Sequence, residues 1–172
     1  VDVDVFRDRL DSEQVKNVFK RHKHNIQRIF EVYAASDNST DDACLSMDTM
    51  DVGELVVWGR NFSLIGGPPM LSERAVKVLF AYTQQEDPDG MDEKGDALID
   101  DSSEMVVGEF KEALAAIGAQ LYPDPYLVLD SKLNAFLSKE VVSVALKMDR
   151  FRKIGMFSSL NPKGLKSLKS EE

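Results

Sequence analysis

The chain has 172 residues, of which 43% are apolar, and it carries a formal net charge of −9 at pH 7. This length and apolar content are enough for one well-buried core or two small subdomains sharing one, which excludes disorder throughout. No run approaches the roughly 18 to 20 apolar residues that a membrane span needs. The single cysteine, Cys44, cannot form an internal disulfide, which fits a reducing compartment.

Negative charge is concentrated in two segments. Residues 36–54 contain six carboxylates and no Lys or Arg, and residues 86–109 contain ten carboxylates against Lys94 alone. These segments carry −6 and −9, so the rest of the chain carries +6. No basic face large enough to neutralise several phosphates stands out, and a nucleic-acid partner is therefore disfavoured.

The first predicted helix is the clearest amphipathic segment of the chain. It follows a short charged lead, and residues 11–14 have the spacing of an N-terminal helix cap. The polar run 36–42 ends it, because such side chains compete for backbone hydrogen bonds. Its apolar face recurs at steps of three and four residues and comprises Val15, Val18, Phe19, His22, Ile26, Ile29, Phe30 and Tyr33.

Two helices are predicted in the middle of the chain. One begins near Asp51, with Glu54 as the partner in a capping box, and continues to Ile65. The Gly-Gly-Pro-Pro sequence at 66–69 stops it. Ser72 can cap the next helix, which ends at the second acidic segment.

Two more helices are predicted after the second acidic segment. A fourth starts at about Val107 and is closed by Pro123, and a fifth, longer one begins within residues 126–131 and ends at Gly155. The polar tail 156–172 is expected to be a linker or docking segment. No stretch shows convincing strand alternation.

A six-residue phrase occurs twice, as MDVGEL at 50–55 and as MVVGEF at 105–110. Each copy follows an acidic segment and opens an apolar run at helical spacing. The phrase therefore indicates an internal repeat in which a loop leads into the first turn of a helix.

With the order helix, acidic loop, helix repeated in this way, residues 15–121 resemble the EF-hand superfamily of calmodulin-like proteins. The resemblance implies that Met50 and Met105 take the loop position that forms a short backbone pairing with the partner loop. It also implies that Glu54 and Glu109 take the last loop position, where the family's Glu gives calcium two oxygens.

Both loops depart from the family's ligand pattern. Counting back from the two Glu residues puts Ala43 and Leu98 at the first ligand position and Asp48 where the first loop should have Gly. Both loops are also roughly eight to thirteen residues longer than an ordinary hand. They look similar to the loops of divergent EF-hand modules in protist, algal and ciliary proteins, which keep the pairing and often lose calcium.

Calcium is the open question for these loops. A rearranged site would use Asp100, Asp101, Glu104 and Glu109. The competing interpretation is that surplus carboxylates keep a long surface loop solvated, while Glu54 and Glu109 gain about 0.3 to 1 kcal/mol each from the helix dipole. We expect no cofactor, with calcium as the alternative.

The fifth helix is additional to the four that a pair of hands requires. We expect it either to fold back onto the pair as a built-in ligand or to contact another subunit. Its candidate partner-binding residues are Leu133, Phe136, Leu137, Val141, Val144, Met148 and Phe151.

Signals of an enzyme are poor. His22 lies on the apolar face of the first helix and His24 points elsewhere, so the two do not form a metal pair. Cys44 has no nearby His and sits among carboxylates, which disfavour a thiolate. The sequence at 66–69 lacks the Lys of a phosphate-binding loop, and solvated loop acids are not tuned for acid-base catalysis.

The sequence therefore predicts an all-α fold with paired EF-hand-like helix-loop-helix units, long acidic loops and an additional C-terminal helix. The expected organisation is a pair with an N-terminal lead at 1–125, the additional helix at 126–155, packing on the pair or on a partner, and a flexible or docking tail at 156–172. Because the chain begins at Val1, we expect it to be a fragment or a processed chain.

The expected function is non-catalytic: a protein-interaction or structural subunit that docks on a larger assembly, with ciliary and cytoskeletal assemblies as examples. The alternative is a calcium sensor or buffer with weak, non-standard loop sites. The expected location is intracellular, either cytoplasmic or cytoskeletal and ciliary, with an organelle as a further option.

Overall fold

The computed structural model describes residues 3–34, 49–66, 69–84 and 103–153. These ranges are mostly helical and contain one short two-stranded sheet. The elements are α1 (Val3–Leu10), α2 (Glu13–Ala34), β1 (Thr49–Met50), α3 (Val52–Asn61), α4 (Glu73–Thr83), β2 (Met105–Val106), α5 (Val107–Leu121), α6 (Leu129–Phe136), a π-helical turn (Leu137–Val142), α7 (Ser143–Ala145) and α8 (Asp149–Lys153). None of these helices is long and apolar enough to cross a membrane.

The N-terminal lead is a helix, α1, which the sequence pattern did not predict. None of its side chains is fully buried, and only Phe6 and Leu10 pack partly buried against the core, so its apolar face is short. Ser12 separates α1 from α2, since its hydroxyl donates to the Arg9 carbonyl at 2.8 Å and lies 3.4 Å from the Val15 amide. The cap of α2 is therefore Ser12, one residue after the Asp11 expected from the capping pattern.

Helix α3 begins as predicted and ends earlier than predicted. The Glu54 amide donates to the Asp51 carboxylate at 2.7 Å, and the Asp51 amide donates back to the Glu54 carboxylate at 3.0 Å, which makes a complete capping box. At the other end Ser63 has a φ of 58°, and the Leu64 amide donates to the Gly59 carbonyl at 2.8 Å. This Schellman termination stops α3 at Asn61, four residues before the expected Ile65.

The next two helices match their predictions. Ser72 caps α4 by accepting a hydrogen bond from the Ala75 amide at 3.1 Å. Helix α5 starts at Val107 and ends at Leu121, directly before the Pro123 region that was expected to close it. Local capping and breaking signals thus suffice to define these boundaries.

The predicted fifth helix is not continuous. Helix α6 passes into a π-helical turn in which the Ser143 amide donates to the Ser138 carbonyl, five residues back. Within this turn Val141 and Val142 are each 1% exposed, so both side chains lie in the interior. The Lys147 and Met148 amides donate to carbonyls three residues back, which ends α7, and α8 begins at Asp149.

A single core joins the helices, with a chain of aromatic rings at its centre. The ring of Phe110 lies 5.5 Å from that of Phe30 and 5.3 Å from that of Trp58. Phe62 continues the chain of rings and lies 6.2 Å from Phe151 of α8. These centroid distances are those of favourable aromatic pairs, so α2, α3, α5 and α8 are held by one buried cluster.

Candidate functional site

The two copies of the repeated phrase meet in the sheet. Strands β1 and β2 are antiparallel, with Met50 opposite Met105 and Thr49 opposite Val106. Both Met side chains are 0% exposed and belong to the core. Because α3 and α5 start directly after these strands, the pairing sets the distance between the N-termini of the two helices.

Glu54 uses its carboxylate inside the first turn of α3. Its side chain is almost fully buried and accepts the hydrogen bond from the Asp51 amide described above. A buried carboxylate requires such donors, because removing it from water without them is costly. The Glu54 carboxylate therefore satisfies an N-terminal amide group of α3 in this conformation.

Glu109 takes the equivalent place at the start of α5. One of its oxygens accepts from the Val106 amide at 2.8 Å and from the Gln84 side-chain amide at 3.1 Å. Val106 has no side-chain acceptor, so only this half of a capping box exists. Gln84 follows the last residue of α4, and the bond therefore ties the end of α4 to the start of α5.

The structure describes two of the four candidate calcium ligands, Glu104 and Glu109. Asp100 and Asp101 lie outside the described residues. Glu104 is exposed and accepts a 2.6 Å hydrogen bond from the Thr49 hydroxyl, across the two strands. Together with Glu109 it flanks β2. In the ranges that the structure describes, no group of three or more His, Cys, Asp or Glu side chains is arranged to hold a metal ion.

The seven candidate partner-binding residues pack within this chain. The backbone of α6 lies close to α2 and α5. Val144 and Met148 are partly buried against the same core, while the other five, Leu133, Phe136, Leu137, Val141 and Phe151, are at most 1% exposed. In this conformation the C-terminal segment folds back onto the pair of repeats, which is the first of the two arrangements expected for it.

His22 is a buried titratable group between α2 and α6. Its side chain is 1% exposed, and its Nε2 atom lies 3.4 Å from the Asn134 amide oxygen. Burial lowers the pKa of His22 below its ordinary 6.5, which the contact with Asn134 partly offsets, and the nearby charge of Arg21 lowers it further. His22 is thus a core histidine that packs between α2 and α6 in this conformation.

Helix α1 forms one wall of each of two grooves that were not predicted from the sequence. An apolar groove of about 400 Å³ lies where Phe6 of α1 meets Leu79 and Tyr82 of α4 and the outer face of α5. A second groove, of about 620 Å³, lies between α1, α2 and α5 and is lined mainly by Lys and Arg side chains. Lys16, Lys20 and Lys23 lie on α2, and the packing of the three helices brings Arg7 of α1 and Lys111 of α5 beside them.

Comparison with known proteins identifies no family model that matches the chain, and no significant match among the curated proteins or the solved structures.

Proposed function

We propose that this chain is a non-catalytic protein-interaction or structural subunit built on a degenerate EF-hand pair, and that it docks on a larger assembly. A ciliary or cytoskeletal assembly is the setting in which such modules are expected from the resemblance. The proposal concerns the pair of repeats, the helices that follow them and their outer surface. The partner is a protein.

The pairing of Met50 with Met105 is the observation that carries this proposal. In an EF-hand pair, equivalent residues of the two loops face each other in a short antiparallel ladder, and here the facing residues begin the two copies of the repeated phrase. A pairing between unrelated segments would have no reason to align the copies. Both Met side chains also enter the core, which gives the duplication a structural purpose.

The hydrogen bonds of Glu54 and Glu109 also support a structural role for these two residues at the ends of the loops. Both carboxylates satisfy backbone amides in the first turn of their own helices. An N-terminal carboxylate stabilises a helix by about 0.3 to 1 kcal/mol without any metal. This role accounts for the two Glu residues in a module whose first ligand positions hold Ala43 and Leu98.

Calcium binding is the competing function, and a calorimetric titration separates the two. We expect no binding heat for the native protein at calcium concentrations up to the millimolar range. A heat signal that disappears in Glu109→Gln would overturn the structural role and favour a sensor or buffer. Lys111→Gln, two residues further along α5, is the matched control, because it alters a neighbouring side chain that cannot bind a cation.

Docking itself is tested on the protein isolated from its native source. Native mass spectrometry should find it in a complex with at least one other protein, and size-exclusion chromatography should give a mass well above that of the chain. Isolation as a lone monomer under gentle conditions would contradict the proposal.

A further inference from the structure

We propose that the basic groove between α1, α2 and α5 binds an acidic polypeptide segment of the partner. This inference rests on the proposed function and specifies the chemistry of the partner. The groove is defined by the basic residues Arg7, Lys16, Lys20, Lys23 and Lys111, the acidic residues Asp11 and Glu112, and the apolar residues Leu10 and Phe19, with Gly108 beside them.

The charge of the groove is opposite to that of the chain. Its lining has five cationic and two anionic side chains and is therefore positive, whereas the chain as a whole carries −9. Like charges in a shared concave surface raise the local potential and attract a ligand of the opposite sign.

The ion pairs within the groove leave three lysines available. Arg7 pairs with Glu112 at 3.0 Å, and Lys16 lies 3.4 Å from Asp11. Lys20, Lys23 and Lys111 make no ion pair with any residue in the described ranges. Within the described ranges these three ammonium groups therefore have no carboxylate partner to lose when they pair with the carboxylates of a ligand.

The shape of the groove fits a polypeptide with an apolar side chain among its acids. Leu10 and Phe19 are partly buried and line the groove between the charged side chains. Lys16, Lys20 and Lys23 follow one another at helical spacing along α2, so their Cα atoms span about 10 Å. Carboxylates one helical turn apart, with an apolar residue between them, would match this arrangement.

Nucleic acids and membranes fit the groove less well than a peptide does. Both are extended anions, and their binding needs a basic surface large enough to neutralise several phosphates in a row. The groove of about 620 Å³ presents only five cationic side chains, two of which already pair with carboxylates. The concave shape and the restricted size of the basic surface therefore favour an acidic peptide.

The test uses a fluorescein-labelled helical peptide of about 12 residues, with Glu one turn apart and one Phe between them. Anisotropy titration should give saturable binding that weakens with added salt, and the same peptide with Gln in place of Glu should not bind. In the protein, Lys20→Glu with Lys23→Glu should raise the Kd at least about tenfold. The matched control, Lys139→Glu with Lys147→Glu, reverses two exposed lysines outside the groove and should change the Kd less than about twofold.

Several outcomes would overturn the inference. Equal weakening by the two charge-reversed pairs would mean that net charge alone attracts the peptide. Tighter binding of a single-stranded oligonucleotide, or of vesicles containing phosphatidylserine, lost specifically in the Lys20 and Lys23 variant, would assign the groove to another class of ligand. Self-association of the free protein that this variant abolishes would assign it to a second copy.

The experiment also separates this inference from the proposed function. If the peptide does not bind while the chain still isolates in a complex with another protein, the groove is not the docking surface and the function stands. If the chain isolates alone and the peptide also fails to bind, both proposals are wrong. Circular dichroism spectra of both charge-reversed variants should match that of the wild type, since all four lysines are exposed.

Discussion

A Cβ atom on Gly118 of α5 would lie 3.2 Å from the Cβ atom of Phe136 in α6, so the two helices pack at a distance that only glycine permits without adjustment. The side chain of Phe136 is 0% exposed and Gly118 is itself buried. This close approach is what anchors the C-terminal segment on the repeats, because it lets a large aromatic ring sit directly against the α5 backbone.

Gly118→Val should therefore destabilise the protein. The added methyl groups would overpack the contact with Phe136, at a cost of about 1 to 3 kcal/mol in the free energy of unfolding, measured by urea denaturation. Gly108→Val is the matched control, because no heavy atom lies within 4 Å of a Cβ placed there, and it should change stability by no more than about 0.5 kcal/mol. Equal stability of the two variants would contradict the close packing of α5 and α6.

Truncation of the paired methionines, Met50 and Met105, should measure how much their burial beside the two-stranded sheet contributes to the free energy of unfolding. Met50→Ala and Met105→Ala should each cost about 2 to 5 kcal/mol, because each leaves a cavity in a fully buried site. Met70→Ala, at a residue 40% exposed, should cost no more than about 0.5 kcal/mol. If the three substitutions had similar effects on the urea midpoint, the pairing would not be part of the stable core.

The burial of Phe136 predicts that the C-terminal segment is needed for folding. Phe136→Ala should cost about 3 to 5 kcal/mol of stability, because it empties the space beside Gly118. Tyr126→Ala, which removes an aromatic side chain that is 93% exposed, should be close to neutral in the same denaturation experiment. A variant at Phe136 that folds normally but loses its partner would instead identify this face as a binding surface.

The buried His22 predicts a pH dependence of stability. Burial lowers the pKa of His22 in the folded protein below its ordinary 6.5, so the unfolded chain takes up this proton more readily. Well above pH 6.5 His22 is neutral in both the folded and the unfolded chain, so it does not change the free energy of unfolding. As the pH falls below about 6.5, the unfolded chain takes up the proton first, and the stability of the folded protein decreases.

Urea denaturation between about pH 7.5 and pH 5 measures this effect. The wild type should lose more stability on acidification than His22→Gln, whose side chain has no proton to gain. The comparison concerns the change with pH, so it holds even if the substitution lowers stability at every pH. An identical pH dependence of the two proteins would show that His22 is not the group responsible.

Local signals in the sequence predicted most boundaries of the repeats. The capping pairs of Asp51 with Glu54 and of Ser72 with the Ala75 amide involve residues three apart, so their geometry follows from helix formation alone. The expectation that Met50 and Met105 would face each other came from the resemblance to the EF-hand superfamily, and the two residues are opposite each other in the sheet. Helix α1 was missed because it has only eight residues and its apolar face is limited to the partly buried Phe6 and Leu10.

The packing of the C-terminal segment on this chain depends on contacts with residues that are distant in the sequence, so local patterns could not predict it. Its apolar spacing predicted an amphipathic helix, and that spacing is equally consistent with packing on this chain or on a partner. The choice depended on Gly118 and on the aromatic cluster reached by Phe151, which belong to distant parts of the sequence. The π-helical turn at Leu137–Val142 was likewise not predicted, because the apolar spacing there suggested a regular helix.

The sequence by itself thus determined the helical class, the caps and the equivalence of the two phrases, because each depends on residues within a few positions of one another. Only the tertiary structure decided that α1 would bring Arg7 beside α2 and α5 and so complete a basic groove in an acidic chain. The reason is physical: hydrogen bonds in a cap join neighbours in the chain, whereas a groove is formed by side chains that come together only when whole helices pack.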